Sequence, residues 1–126
     1  MIPYLIGKLR TTQIEQMLDT IPDTTYKAIF NDDLLPEAYQ GLSKFILVYR
    51  VSPKTPNDIQ TITYRVSCRQ TLKSDAEKLG ELVYERLNRV FGNNGKPIYS
   101  KCTIQQAIFE DANLYHVPVD IEVKNA

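Results

Sequence analysis

From Ile62 to Arg69 apolar and polar side chains alternate without a break. Ile62, Tyr64, Val66 and Cys68 fall on one side, Thr63, Arg65, Ser67 and Arg69 on the other. A period of two predicts a half-buried strand. The pattern then changes. Ser74-Asp75-Ala76-Glu77 reads as a capping box, and Ala76, Leu79, Val83, Leu87 and Val90 follow at helical spacing, widened by Leu82 and Phe91. Gly92-Asn93 is expected to close this helix, because both residues tolerate a left-handed C-terminal cap. A strand face and a helix stripe so close in sequence should pack on each other, and this unit anchors the expected fold.

The remaining elements fall around it. Residues 3–19 read as helical, with Pro3 near the start, an interruption near Thr11 and a second capping box at Thr12 and Glu15. Pro22-Asp23 ends that segment, and residues 24–30 suggest a short strand with Tyr26, Ala28 and Phe30 on one side. Residues 31–42 form a long connection, which in a small domain usually has a function. Phe45-Ile46-Leu47-Val48-Tyr49 is apolar on both faces, so its strand should be covered on both sides. Pro53 and Pro56 punctuate the way to the Ile62 strand, as in an antiparallel hairpin. Residues 98–109 suggest a less regular strand interrupted at Gln106, and residues 115–124 a clean one. Pro118 lacks a ladder donor and should lie at an edge or turn away from its neighbour. The expected fold class is α+β: a mostly antiparallel sheet of four to five strands, one long helix on one face, and a shorter N-terminal helical segment. A single domain spanning residues 1–126 is expected, long enough to bury about two thirds of its unfolded surface.

Charge narrows the function. Fifteen basic residues balance fifteen acidic ones, which argues against a polyanion binder relying on bulk charge and leaves little self-repulsion to oppose association. No apolar run approaches the roughly 20 residues of a membrane span, and no signal peptide is expected, so synthesis in a cytoplasm follows. Cys68 and Cys102 are expected as free, buried thiols, although a bridge is geometrically conceivable.

Candidate chemistry is sparse. His116, the one histidine, is assigned to the exposed polar face of its strand, with no triad partner visible. Asp32-Asp33, Glu110-Asp111, Asp120 and Glu122 read as turn and surface acids before they read as a metal site. Gly92 to Gly95 follows a helix, the wrong order for phosphate capture, and the cysteines and histidine are too few for zinc. No catalytic residue, cofactor or metal is therefore assigned. Arg65 and Arg69, with Lys44 and Arg50, could form a basic patch, for which a solvated face is the simpler reading. Eight tyrosines and surplus apolar surface suggest a contact with partners, with Leu34, Leu35, Tyr39, Tyr49, Pro53 and Pro56 as candidate interface residues.

The order of elements from residue 43 to 124 carries a resemblance: a hairpin ending in Ile62 to Arg69, a helix with Ala76-Glu77-Lys78-Leu79 and Leu82-Val83, a Gly/Asn/Pro loop, and two strands ending in alternating Val and Ile. This layout resembles the tail-terminator (tail-completion) proteins of long-tailed bacteriophages and, more loosely, other neck and minor capsid proteins. The resemblance implies a non-enzymatic virion subunit of the tail or neck. It would self-associate into a ring, commonly hexameric, on the tail tube protein and offer a surface to the head connector, DNA passing through the lumen. Other head–tail connector or minor capsid roles, a small nucleic-acid-associated module using Arg50, Arg65 and Arg69, and a metal-dependent hydrolase are the competing readings.

Overall fold

In a computed structural model the structure describes residues 1–51, 61–88, 91–93, 96–110 and 113–125. Two long strands form its centre. β3 (Thr61–Gln70) runs antiparallel to β7 (Leu114–Asn125), with Val66 opposite Val119 and Arg69 opposite His116. β2 (Phe45–Val51) flanks β3 antiparallel, and β1 (Ile29–Phe30) adds the one parallel pairing described. On the far side of β7 lie β5 (Lys96–Ile104) and β6 (Ile108–Glu110), with β4 (Phe91–Asn93) on the edge of β5. The α+β class and the mostly antiparallel sheet are as expected. The seven described strands exceed four to five because β4 falls on residues assigned to a helix cap and the 98–109 strand is two strands. β1, β4 and β6 have two or three residues each, too few to show a period.

The anchor unit holds. α3 (Lys73–Leu87) buries Ala76, Leu79, Gly80, Val83 and Leu87 against Tyr64, Val66 and Cys68 of β3 and Val117, Val119 and Ile121 of β7. Its ends differ from expectation. Leu72 is the N-cap and no side chain caps the helix, so Ser74 and Glu77 are not a capping box: the helix begins before the serine. Asn88 is the C-cap, its N–H donating to the Tyr84 carbonyl, while its side-chain Oδ1 accepts from Cys102 N at 2.9 Å. Asn88 thereby stops the helix and covers a donor on β5. Gly92-Asn93 belongs to β4 and caps nothing helical, and Val90 lies outside the described residues.

The N-terminal segment breaks as expected near Thr11, giving α1 (Ile2–Leu9) and α2 (Thr12–Glu15). The cap is Thr11, whose hydroxyl accepts from Ile14 N at 3.3 Å, one residue before the expected Thr12. Leu5, Leu9, Ile14 and Leu18 join the core under α3. The buried Gln70 side chain ties this segment to β3, donating to the Met17 carbonyl at 2.7 Å.

β2 is covered on both faces, as its composition predicts. Ile46 and Val48 face the helices, whereas Phe45 and Leu47 join Ala28 in a second cluster with Ile21, Phe30, Leu35, Leu42, Tyr49 and Leu114. Residues 31–42 thus have a place inside the chain. Asp32 Oδ1 accepts from Asp33 N and Leu34 N, a short 3-10 turn spans Glu37–Tyr39, and Tyr39 stacks on Phe30 with centroids 5.6 Å apart. Asp19 fastens the cover by accepting from Ser43 N (3.0 Å) and Lys44 N (3.1 Å). The 24–30 strand shrinks to two residues because the Thr24 hydroxyl binds Ile21 O and Tyr26 N in a local turn that competes with pairing.

β7 is interior, so Pro118 does not mark an edge. Its carbonyl accepts from Gln105 N at 3.1 Å, which points that side of the residue at the break between β5 and β6. The N and C=O of a strand residue share a side, so the ring nitrogen also faces Gln105, where the β5 ladder ends after Ile104.

Candidate functional site: the polar sheet face and its flanks

The same alternation that buries Tyr64, Val66 and Cys68 sends Arg65, Ser67 and Arg69 to the face away from α3. There they meet the polar residues of β7 in register. Arg65 lies opposite Asp120 and holds it with two bonds, Nε to Oδ1 at 2.7 Å and Nη2 to Oδ2 at 3.1 Å; Gln105 Nε2 adds a third at 3.2 Å. The Asp120 hydrogen bond, working against desolvation, holds the Arg65 guanidinium above its ordinary pKa.

One pair further along, the face closes over. Ser67 has no exposed surface and His116 is 6% exposed, which overturns the expectation of a surface histidine. His116 Nδ1 is 2.8 Å from Glu110 Oε1, and Nε2 is 2.5 Å from Ser67 Oγ. Arg69 completes the cluster, Nε donating to Ser67 Oγ at 3.1 Å and Nη1 to Glu110 Oε2 at 3.2 Å. One proton arrangement satisfies every bond: Nδ1–H donates to the carboxylate, the serine hydroxyl donates to Nε2, and the serine oxygen accepts from Arg69. Burial lowers the His116 pKa and the Arg69 charge adds to this, while Glu110 opposes both, so the neutral imidazole fits.

Hydroxyl, imidazole and carboxylate stand in the order of a hydrolase triad. The Ser67 oxygen, however, is sealed from solvent and also occupied by Arg69, so no reacting atom can approach it in this structure. What the cluster does is tie β6 to β3 across β7. Sequence pattern alone hides it, because Glu110 reads as a turn residue and strand register is not visible in one chain. The available signal was the polar Ser67-x-Arg69 on the face that His116 shares.

The basic patch that Arg65, Arg69, Lys44 and Arg50 could form, against which a solvated face is the simpler reading, does not assemble. Arg65 and Arg69 are neutralised by Asp120 and Glu110, and exposed Arg50 pairs in register with Tyr64, on the helix side. Of the candidate interface residues, Leu34 is 72% exposed, whereas Leu35 and Tyr49 pack on the second cluster and Tyr39 on Phe30. Pro53 and Pro56 lie outside the described residues. Both cysteines are free and buried; burial pushes the Cys102 thiol up to about 12 and that of Cys68 up as well, so both are neutral packing groups. Among the described residues no helix is long and apolar enough to cross a membrane.

With that geometry in hand, the chain resembles a chain of the virion of a native gene transfer agent (GTA) particle, with a TM-score of 0.57. The match covers 95% of this chain and 90% of the other, at 10% identity. That likeness is one of fold. No family model and no curated protein matches the sequence.

Proposed function

We propose that this chain is a structural virion subunit that self-associates into a ring at the tail end and completes the tail for head joining. The observation that carries the proposal is the fold shared with a chain of a virion particle along nearly the whole length of both. The element order that resembles tail-terminator proteins supports the finer assignment. Exposed apolar side chains lend physical support: Leu34 beside the cover of β2, Ile108 and Phe109 on β6 beyond β7, and Leu72 at the start of α3. A ring subunit needs two different patches, because head-to-tail contacts close by rotation. In this reading the partners are further copies, the tail tube protein and the head connector, and the location is the virion.

Native mass spectrometry and negative-stain microscopy of the purified chain, alone and with tail tubes, test the proposal. A closed oligomer, six-membered by the resemblance, is expected. Leu34→Asp, at a side chain with no internal role, should weaken it by forcing a charge into a contact. A chain that stays monomeric at every concentration and also fails to bind tube ends would refute the ring.

A further inference from the structure

The helical layer has two flanks of opposite character. At one, α3 stands over a groove of about 240 Å³ lined by Glu77, Glu81, Ile104, Gln105, Gln106, Ala107 and Val117. Val117, Ile104 and Ala107 supply an apolar surface, and Glu77 and Glu81, one turn apart and exposed, supply carboxylates in no ion pair among the described residues. At the other flank, where α1 packs over β2, cations gather. Arg86 Nε donates to the Lys8 carbonyl and Arg10 Nη1 to the Lys27 carbonyl, so the backbone of each lysine lies beside a guanidinium group. Arg10 is paired with Glu15, whereas Lys8 Nζ stands over the Tyr4 ring and Lys27 Nζ donates to Thr20 Oγ1, so Lys8, Lys27 and Arg86 have no carboxylate partner among the described residues.

We propose that the groove between α3 and residues 105–107 receives the cationic flank around Lys8, Lys27 and Arg86 of a second copy of this chain. The charges are complementary, and the chemistry fits the groove's shape. Lysine and arginine carry apolar stems that can lie on Ile104 and Ala107 while their heads reach the glutamates. Because the two patches sit on opposite flanks of one layer, the contact is head-to-tail, the kind that closes into a ring. The proposal rests on self-association of the chain and names the surfaces that make it.

Two double variants test it: Glu77→Lys with Glu81→Lys, and Lys8→Glu with Lys27→Glu. Arg86 is left alone because its Nε–H holds α1 to α3. Folding of each is checked by circular dichroism. Each variant alone is expected to run as a monomer in light scattering under conditions where the wild-type chain assembles. An equimolar mixture should regain the wild-type mass, because each reversed patch then meets its opposite. Wild-type assembly by either folded variant alone, or failure of the mixture to assemble, would overturn the pairing of these surfaces. A wild-type chain that never assembles would instead overturn the self-association beneath it.

Discussion

His116 Nε2 and Ser67 Oγ are 2.5 Å apart on neighbouring central strands, and the hydroxyl between imidazole and Arg69 has no exposed surface. The contact turns a polar strand face into a buried joint. Glu110 of β6 completes it, so the short outer strand depends on side chains as well as on its three-residue ladder.

The joint should therefore contribute to stability. His116→Ala leaves Ser67 and Glu110 each short of a partner, one buried and one half-buried, and we predict a loss of about 1–3 kcal/mol in a urea titration. A loss below about 0.5 kcal/mol, the range of ordinary surface changes, would mean that water replaces the imidazole without cost.

The same histidine gives a pH dependence with a defined sign. Its folded pKa is lowered, so the unfolded chain takes up a proton first. The contribution is fully present above the ordinary histidine value of about 6.5 and is lost as pH falls from there through the folded value. Stability of the wild type should thus decline more steeply between about pH 7 and 5 than that of His116→Gln. Parallel curves for the two proteins would sink this assignment.

Leu87 closes the last turn of α3 and is fully buried. Leu87→Ala is expected to cost on the order of 2–5 kcal/mol by transfer and cavity effects. Denaturant midpoints read this directly, and a near-neutral result would detach the end of α3 from the sheet.

At Gly80 α3 lies tightly against the sheet. A Cβ there would stand 2.6 Å from Val117 Cγ1 and 3.2 Å from Ile104 Cδ1. The helix-propensity gain of alanine, about 1 kcal/mol, is opposed by overpacking of about 1–3 kcal/mol against a stiff β-branched side chain. Gly80→Ala should be net destabilising. Combined with Val117→Ala it should cost less than the two single changes add up to. Strict additivity would show that the helix simply shifts.

What could be read from the sequence was what local periodicity encodes. The alternation from Ile62 to Arg69 and the stripe from Ala76 to Leu87 gave the central strand, the long helix and their contact. The two-faced run at Phe45 gave the covered strand. Ends were less legible, because Leu72 can begin a helix without a capping side chain and Asn88 can end one through a bond to β5. Leu35 and Tyr39 looked unplaced because their partners, the second cluster and Phe30, are set by the path of residues 31–42. The polar joint was hidden for a related reason. Whether His116 meets Arg69 or a residue two places away is decided by register, which depends on both strands at once.

Pro118 bears on how that register is chosen during folding. Sliding β5 and β6 together along β7 by two residues would keep every side chain on its own face, so burial alone discriminates weakly against it. A slide that paired Thr103 with Pro118 would move the unanswered carbonyl opposite the ring nitrogen from exposed Gln105, at the end of the ladder, to a residue inside β5. The break after Ile104 and the proline thus favour the observed alignment of β5 and β6 on β7.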